Sequence, residues 1–169
     1  MFSQTLLTRF GETPEAAKAA LERELTRFEA LLPKLEGRWT EPLRAGAWSP
    51  AEVTEHVLKI SVSMSKTLYL LRQGRATPPE APRTPGVLVE GRAQSPEFGL
   101  PGEPQPWSAL APRWAAMRSR LLEEVDATTE WHGRSWFHPY FGDLSALGWV
   151  QAAALHLAHH RKQLEAVAR

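Results

Sequence analysis

The stretch Ser49–Ile60, SPAEVTEHVLKI, decides the fold class. Ser49 and Glu52 stand three residues apart, with Pro50 at the first helical position. In that pattern a hydroxyl and a carboxylate each accept a backbone N–H from the other end of the first turn. Val53, Val57, Ile60, Met64, Leu68 and Leu71 then recur at helical spacing, and Gly74 offers a stop. A long helix with one apolar face needs partners of the same kind.

Three further helices supply them. Thr13-Pro14 marks the start of the first, whose stripe is Leu21, Leu25, Phe28, Leu31 and Leu32, limited by Pro33 and Gly37. The third starts near Ser108, with Pro112 in its first turn and Trp114, Met117, Leu121, Leu122 and Val125 on its face. Ser145 caps the fourth, where Leu147, Val150, Ala154, Leu157, Leu164 and Val167 recur; Gly148 in its first turn weakens it modestly. The segment Trp131–Leu144 is aromatic and turn-rich, and no strand pair or internal repeat is read anywhere. The expectation is an all-α four-helix bundle in one domain spanning 1–169.

Between the second and third helices, residues 77–106 hold eight of the fourteen prolines and four of the eleven glycines. No helix survives that density. This Pro-rich crossover is long enough to traverse the bundle and leave the third helix parallel to the second.

Composition narrows the function. A net charge of +1 and the lack of a basic stripe interleaved with aromatics argue against nucleic acid as a partner. No apolar run reaches the ~18 residues of a membrane span, and the N-terminus has no basic segment followed by a long apolar one. The simple reading is a soluble cytoplasmic protein. There is no cysteine, so any thiol chemistry needs a thiol brought by a ligand.

Half of the six histidines lie in HLAHHRKQL, His156–Leu164. On a helix, His156 and His160 are about 40° apart around the axis with about 6 Å of rise, so both imidazoles can aim at one point. His159 points off by roughly 60° to the other side. With Arg161 and Lys162, these residues could equally form a basic last-turn cluster favoured by the helix dipole. A third ligand must come from elsewhere. His56 is the candidate because it falls on the core-facing side of the second helix. A buried imidazole must be satisfied, and a metal, a carboxylate or a water would each serve.

The remaining candidates are placed by sequence position. His138, next to Pro139, is a candidate for a pocket rim. Trp48 and Trp149 are candidates for pocket walls, with bundle packing as the plainer role. Gln163 and Glu52 are the candidates to hold imidazole tautomers.

Three pieces together resemble the DinB/YfiT-like family of metal-binding four-helix bundles. They are WSPAEVTEHVLKI (Trp48–Ile60), HPYFGDLSALGWV (His138–Val150) and HLAHHRKQL. The resemblance covers most of the chain and implies an up-down-down-up bundle. The family's ligand triad falls on His56, His156 and His160, with a divalent ion such as zinc or nickel, and a homodimer is common. Family members include S-transferases that use bacillithiol or related low-molecular-weight thiols, and this implies a metal-dependent thiol transferase acting on a small-molecule substrate. The alternatives are a metal-dependent hydrolase, which needs a general base and has no HExxH motif here, and a non-catalytic metal-binding or dimeric interaction protein.

Overall fold

The structure, a computed structural model, describes residues 1–168. Four helices carry it: α1 (Pro14–Glu29), α2 (Pro50–Arg72), α3 (Trp107–Asp126) and α4 (Ala146–Glu165). Three of the starts are capped by side chains. Thr13 Oγ1 accepts the Ala16 N–H at 3.2 Å. At α2 the reciprocal box forms in full: Ser49 N–H donates to Glu52 Oε2 at 2.8 Å, and Glu52 N–H donates to Ser49 Oγ at 3.3 Å. Ser145 Oγ accepts the Gly148 N–H at 3.4 Å. Gly74, at φ +77°, closes α2 as expected.

Contacts between named residues fix the directions. Arg161 near the end of α4 meets Glu24 in the second half of α1, and Gln151 early in α4 donates to the Gly11 carbonyl before α1, so these helices are parallel. Arg72 and Glu124 pair at the ends of α2 and α3, while Glu55 and Arg113 meet near their starts, so these two are also parallel. Lys18 early in α1 pairs with Asp126 at the end of α3, and Glu29 near the end of α1 meets Arg118, which sets α1 against α3. The bundle is up-down-down-up, and the crossover at 77–106 makes the parallel α2–α3 pair possible.

The apolar stripes converge on one core, in which Leu21, Leu25, Phe28, Val57, Leu68, Leu121, Val150 and Leu157 are fully enclosed. The Phe28 and Trp114 rings stack at 5.1 Å, and the indole N–H of Trp114 finds Glu29 Oε1 at 2.8 Å.

Several expectations are corrected. The chain is not free of strands. β1 (Leu88–Val89) and β2 (Arg92–Ala93) form one small antiparallel ladder, β3 (Ser135–His138) and β4 (Gly142–Ser145) another. The second reverses through Pro139–Phe141 with Gly142 at φ +76°. α1 ends at Glu29, before Pro33, so Leu31 and Leu32 of the expected stripe lie beyond it, and Pro33 and Gly37 fall within a separate 3-10 helix, Leu32–Arg38. Another 3-10 helix, Gln4–Phe10, precedes α1. Pro112 sits in the second turn of α3, where Ser108, the residue four before it, is exposed. Val167 lies beyond the end of α4 and packs on the core from there. Gly148 has a packing reason, since a Cβ there would stand 3.1 Å from Leu144 Cδ2.

Candidate metal centre

His56 lies in the second turn of α2, and the capping box fixes where that turn begins. His156 and His160 occupy successive turns near the end of α4. Because α2 and α4 run in opposite directions, the start of one meets the end of the other. One ring nitrogen from each histidine lies within 4.8 Å of the other two, and no carboxylate belongs to this cluster. His56 Nε2 and His156 Nε2 are 3.0 Å apart.

Neighbouring acceptors decide which nitrogens face inward. A carbonyl oxygen can only accept, so the 2.7 Å contact from His56 Nδ1 to the Gly99 carbonyl puts the proton on Nδ1. Nε2 is then a bare lone pair. His160 repeats the arrangement, with Nδ1 2.8 Å from Gln163 Oε1. The Gln163 amide in turn reaches His159 Nε2 at 3.2 Å. Such outer partners fix ring orientation and tautomer in metal sites.

The third imidazole has no such partner. Nδ1 of His156 is enclosed and makes no hydrogen bond. If its proton sits on Nε2, Nδ1 is a buried acceptor without a donor. If it sits on Nδ1, two lone pairs confront each other at 3.0 Å. Both arrangements cost free energy, on the order of 1–3 kcal/mol for the unmade bond. A cation shared by the inward nitrogens removes the confrontation. Two nitrogens about 2.0–2.1 Å from a tetrahedral ion lie about 3.3 Å from each other, close to the spacing already present.

Protonation favours the same reading. Burial drives the His56 pKa down, against its bond to Gly99. Burial, then the neighbouring His56 and His159, takes His160 down to about 3. His156 lies well below the ordinary range, through burial first and then the surrounding imidazoles. At neutral pH the rings are therefore neutral, the form that ligates metal. Three inward, neutral nitrogens fit a divalent ion.

The other sequence candidates divide. Trp48 packs its ring 4.8 Å from His56 and walls the centre. Gln163 holds His160. His159 is exposed and reaches the centre only through Gln163. Glu52 holds no imidazole; its carboxylate is occupied by Ser49 in the cap. Trp149 does not join the cluster: it packs on His138 at 4.9 Å and donates to the Trp136 carbonyl. His138 is buried at the end of β3, where its Nδ1 accepts the Tyr140 N–H at 3.1 Å, and burial takes its pKa down to about 4.

Gly99 was missed by sequence reasoning. It belongs to a short 3-10 turn, Glu97–Gly99, inside the Pro-rich crossover. A Cβ there would stand 2.6 Å from Ile60 Cδ1, so a larger residue would have to push the Ile60 side chain aside where this carbonyl meets His56. The residues just after the turn are tied to α2: Lys59 Nζ donates to the Leu100 carbonyl at 2.8 Å, and the Gly102 N–H donates to Glu55 Oε2 at 3.1 Å.

With this geometry in hand, the comparisons give the same family. The model of the DinB superfamily matches residues 20–164. The chain belongs to the DinB superfamily. The superfamily match takes in α2, the crossover, α3, the β3–β4 hairpin and the histidine-bearing part of α4. Among solved structures, "Crystal structure of TT2238, a four-helix bundle protein" is 30% identical with a TM-score of 0.68, over 91% of this chain and 99% of that one. No curated protein matches.

Proposed function

We propose that this DinB-superfamily protein is a divalent-metal-dependent transferase that uses a low-molecular-weight thiol of the bacillithiol type. The observation that carries the reading is a cluster of three neutral imidazoles with no carboxylate among them. Such a set leaves the charge of a dication uncompensated and favours an anionic further ligand. A divalent ion there, zinc or nickel by likeness to the DinB superfamily, would supply a Lewis acid that lowers the pKa of a thiol. The protein brings no cysteine of its own, so the thiol is a cosubstrate. The thiol gives up its proton to water, its sulfur forms a bond to an electrophilic carbon of a small substrate, and the leaving group departs with the bonding pair.

The chain's residues bind and orient. His56, His156 and His160 present nitrogens; Gly99 and Gln163 keep two of them in the ligating tautomer; Trp48 covers one side. Hydrolysis is the weaker reading because it needs a base. The nearest carboxylates along α2 are engaged elsewhere, Glu52 in the cap and Glu55 with Gly102 and Lys59.

The test is calorimetric titration of bacillithiol into zinc- or nickel-loaded protein, paired with formation of the fluorescent adduct from monochlorobimane. Saturable thiol binding that His56→Ala abolishes, with adduct formation lost alongside, is expected. Unchanged thiol binding in His56→Ala would sink the proposal. So would metal-dependent ester hydrolysis without any thiol response.

A further inference from the structure

Away from the histidines, α2 and α3 leave a groove of about 820 Å³ between them. Leu58, Val62, Ala116 and Met117 form its floor. Its two ends carry aromatic rings: Phe98 from the crossover, 60% exposed, and Tyr69 of α2, 39% exposed. Lys59 and Arg113 stand near the Phe98 end, Lys66 and Arg120 near the Tyr69 end, and no carboxylate lines the groove. Two buried carboxylates lie beside it. Glu55 holds Lys59 at 3.3 Å and Arg113 loosely at 3.9 Å. Glu124 is shared by Arg120 at 2.7 Å and Arg72 at 2.9 Å. Five cations thus surround two carboxylates, and Lys66 has no ion pair among the described residues.

We propose that this groove binds an amphiphilic carboxylate, with its anionic head between Lys66 and Arg120 and its aliphatic chain along Val62, Leu58 and Met117 toward Phe98. Charge decides against the main competitor. A second copy packed through the same face would be related by a two-fold axis and would set these cations against themselves. An anionic head meets an excess positive charge instead, and Arg120, 5.6 Å over the Tyr69 ring, is already oriented along that wall. Size agrees. From Leu58 to Tyr69 the helix rises about 17 Å, room for a medium-length alkyl chain, and the volume falls in the range of small-molecule sites, about 300–1,000 Å³. Covering Phe98 and the floor supplies the apolar driving force. Since Phe98 and Gly99 are consecutive, the chain's far end would touch the turn that orients His56. The proposal does not depend on a metal at the triad.

The test uses the full chain with dodecanoate as probe, below its micelle concentration, against dodecyltrimethylammonium, which carries the same tail under the opposite charge. Calorimetric titration should show one saturable dodecanoate site, with the cation at least about tenfold weaker. Lys66→Glu, an exposed position, should weaken dodecanoate by about tenfold. Ala116→Trp, also exposed, should fill the floor and abolish binding while the helical circular dichroism stays unchanged. Equal affinity for both amphiphiles, multiple unsaturable sites, or binding indifferent to Ala116→Trp would overturn the proposal. So would self-association on size exclusion that Ala116→Trp abolishes, since the face would then belong to a second copy.

Discussion

At His160 a single acceptor, Gln163 Oε1, keeps the inward nitrogen bare. Gln163→Leu keeps the side-chain bulk but removes that acceptor. It should lower zinc affinity by about 10–100-fold in competition with a chromophoric chelator, while Gln163→Glu, which still accepts, should retain most of it. His138 makes a different kind of prediction, one about pH. Its pKa of about 4 lies below the 6.5 of an unfolded histidine, so below pH 6.5 the unfolded chain takes up a proton that the folded one refuses. Stability from this residue is intact above pH 6.5 and is lost as pH falls toward 4. Between pH 7 and pH 5 the loss is about 2 kcal/mol. Urea denaturation of chelator-treated protein should show that His138→Asn, which keeps an acceptor for the Tyr140 N–H, removes this share of the acid loss. An equal loss in both proteins would contradict the assignment. The candidate pair His156 and His160 could be read from the sequence because helical spacing alone brings the two rings together. Gly99 could not, because a loop carbonyl has no period and its partner lies 43 positions away.

At the scale of elements, the triad needs α4 held at one rotation and height. The buried pair Arg161–Glu24, 2.7 Å between Nε and Oε2, does this beside His160. Removing one partner of a buried pair leaves an uncompensated charge, which costs about 3–5 kcal/mol. Arg161→Met should fall at the low end, about 3 kcal/mol by urea denaturation, because Arg27 stays 3.6 Å from Glu24. Adding Glu24→Leu should recover much of the loss, since the orphaned carboxylate is then gone. A double variant no more stable than Arg161→Met would show that the pair is not the cause. The helices were readable because caps and apolar stripes are local signals. The β3–β4 hairpin was not, since its aromatic run does not alternate cleanly with polar residues. It is stabilised from outside itself: Phe137 N–H donates to Thr77 Oγ1, Phe2 N–H donates to the Tyr140 carbonyl, and Tyr140 Oη reaches the Gln94 carbonyl. Those partners lie in the crossover and at the N-terminus, far away in sequence.

Over the whole molecule, the centre joins the start of α2, the end of α4 and a turn of the crossover, three segments that the unfolded chain keeps apart. An ion held only by the folded state adds stability as RT ln(1 + [L]/Kd), about 2.7 kcal/mol at a hundredfold excess over Kd. Zinc should therefore raise the melting temperature, and chelation should lower it to the metal-free value. His56→Ala should be nearly insensitive to both. The bundle class and the parallel α2–α3 pair followed from the helical stripes and the length of the Pro-rich segment. How that segment is fastened did not, because its bonds run to backbone carbonyls such as those of Ser135 and Pro139 and to distant side chains such as Glu55 and Asp143. The most direct test of the account is X-ray absorption spectroscopy of the zinc-loaded protein. Three imidazole nitrogens are expected at about 2.0–2.1 Å, reduced to two or to no bound zinc in His56→Ala. Zinc held by carboxylate oxygens, or a spectrum unchanged by His56→Ala, would contradict it.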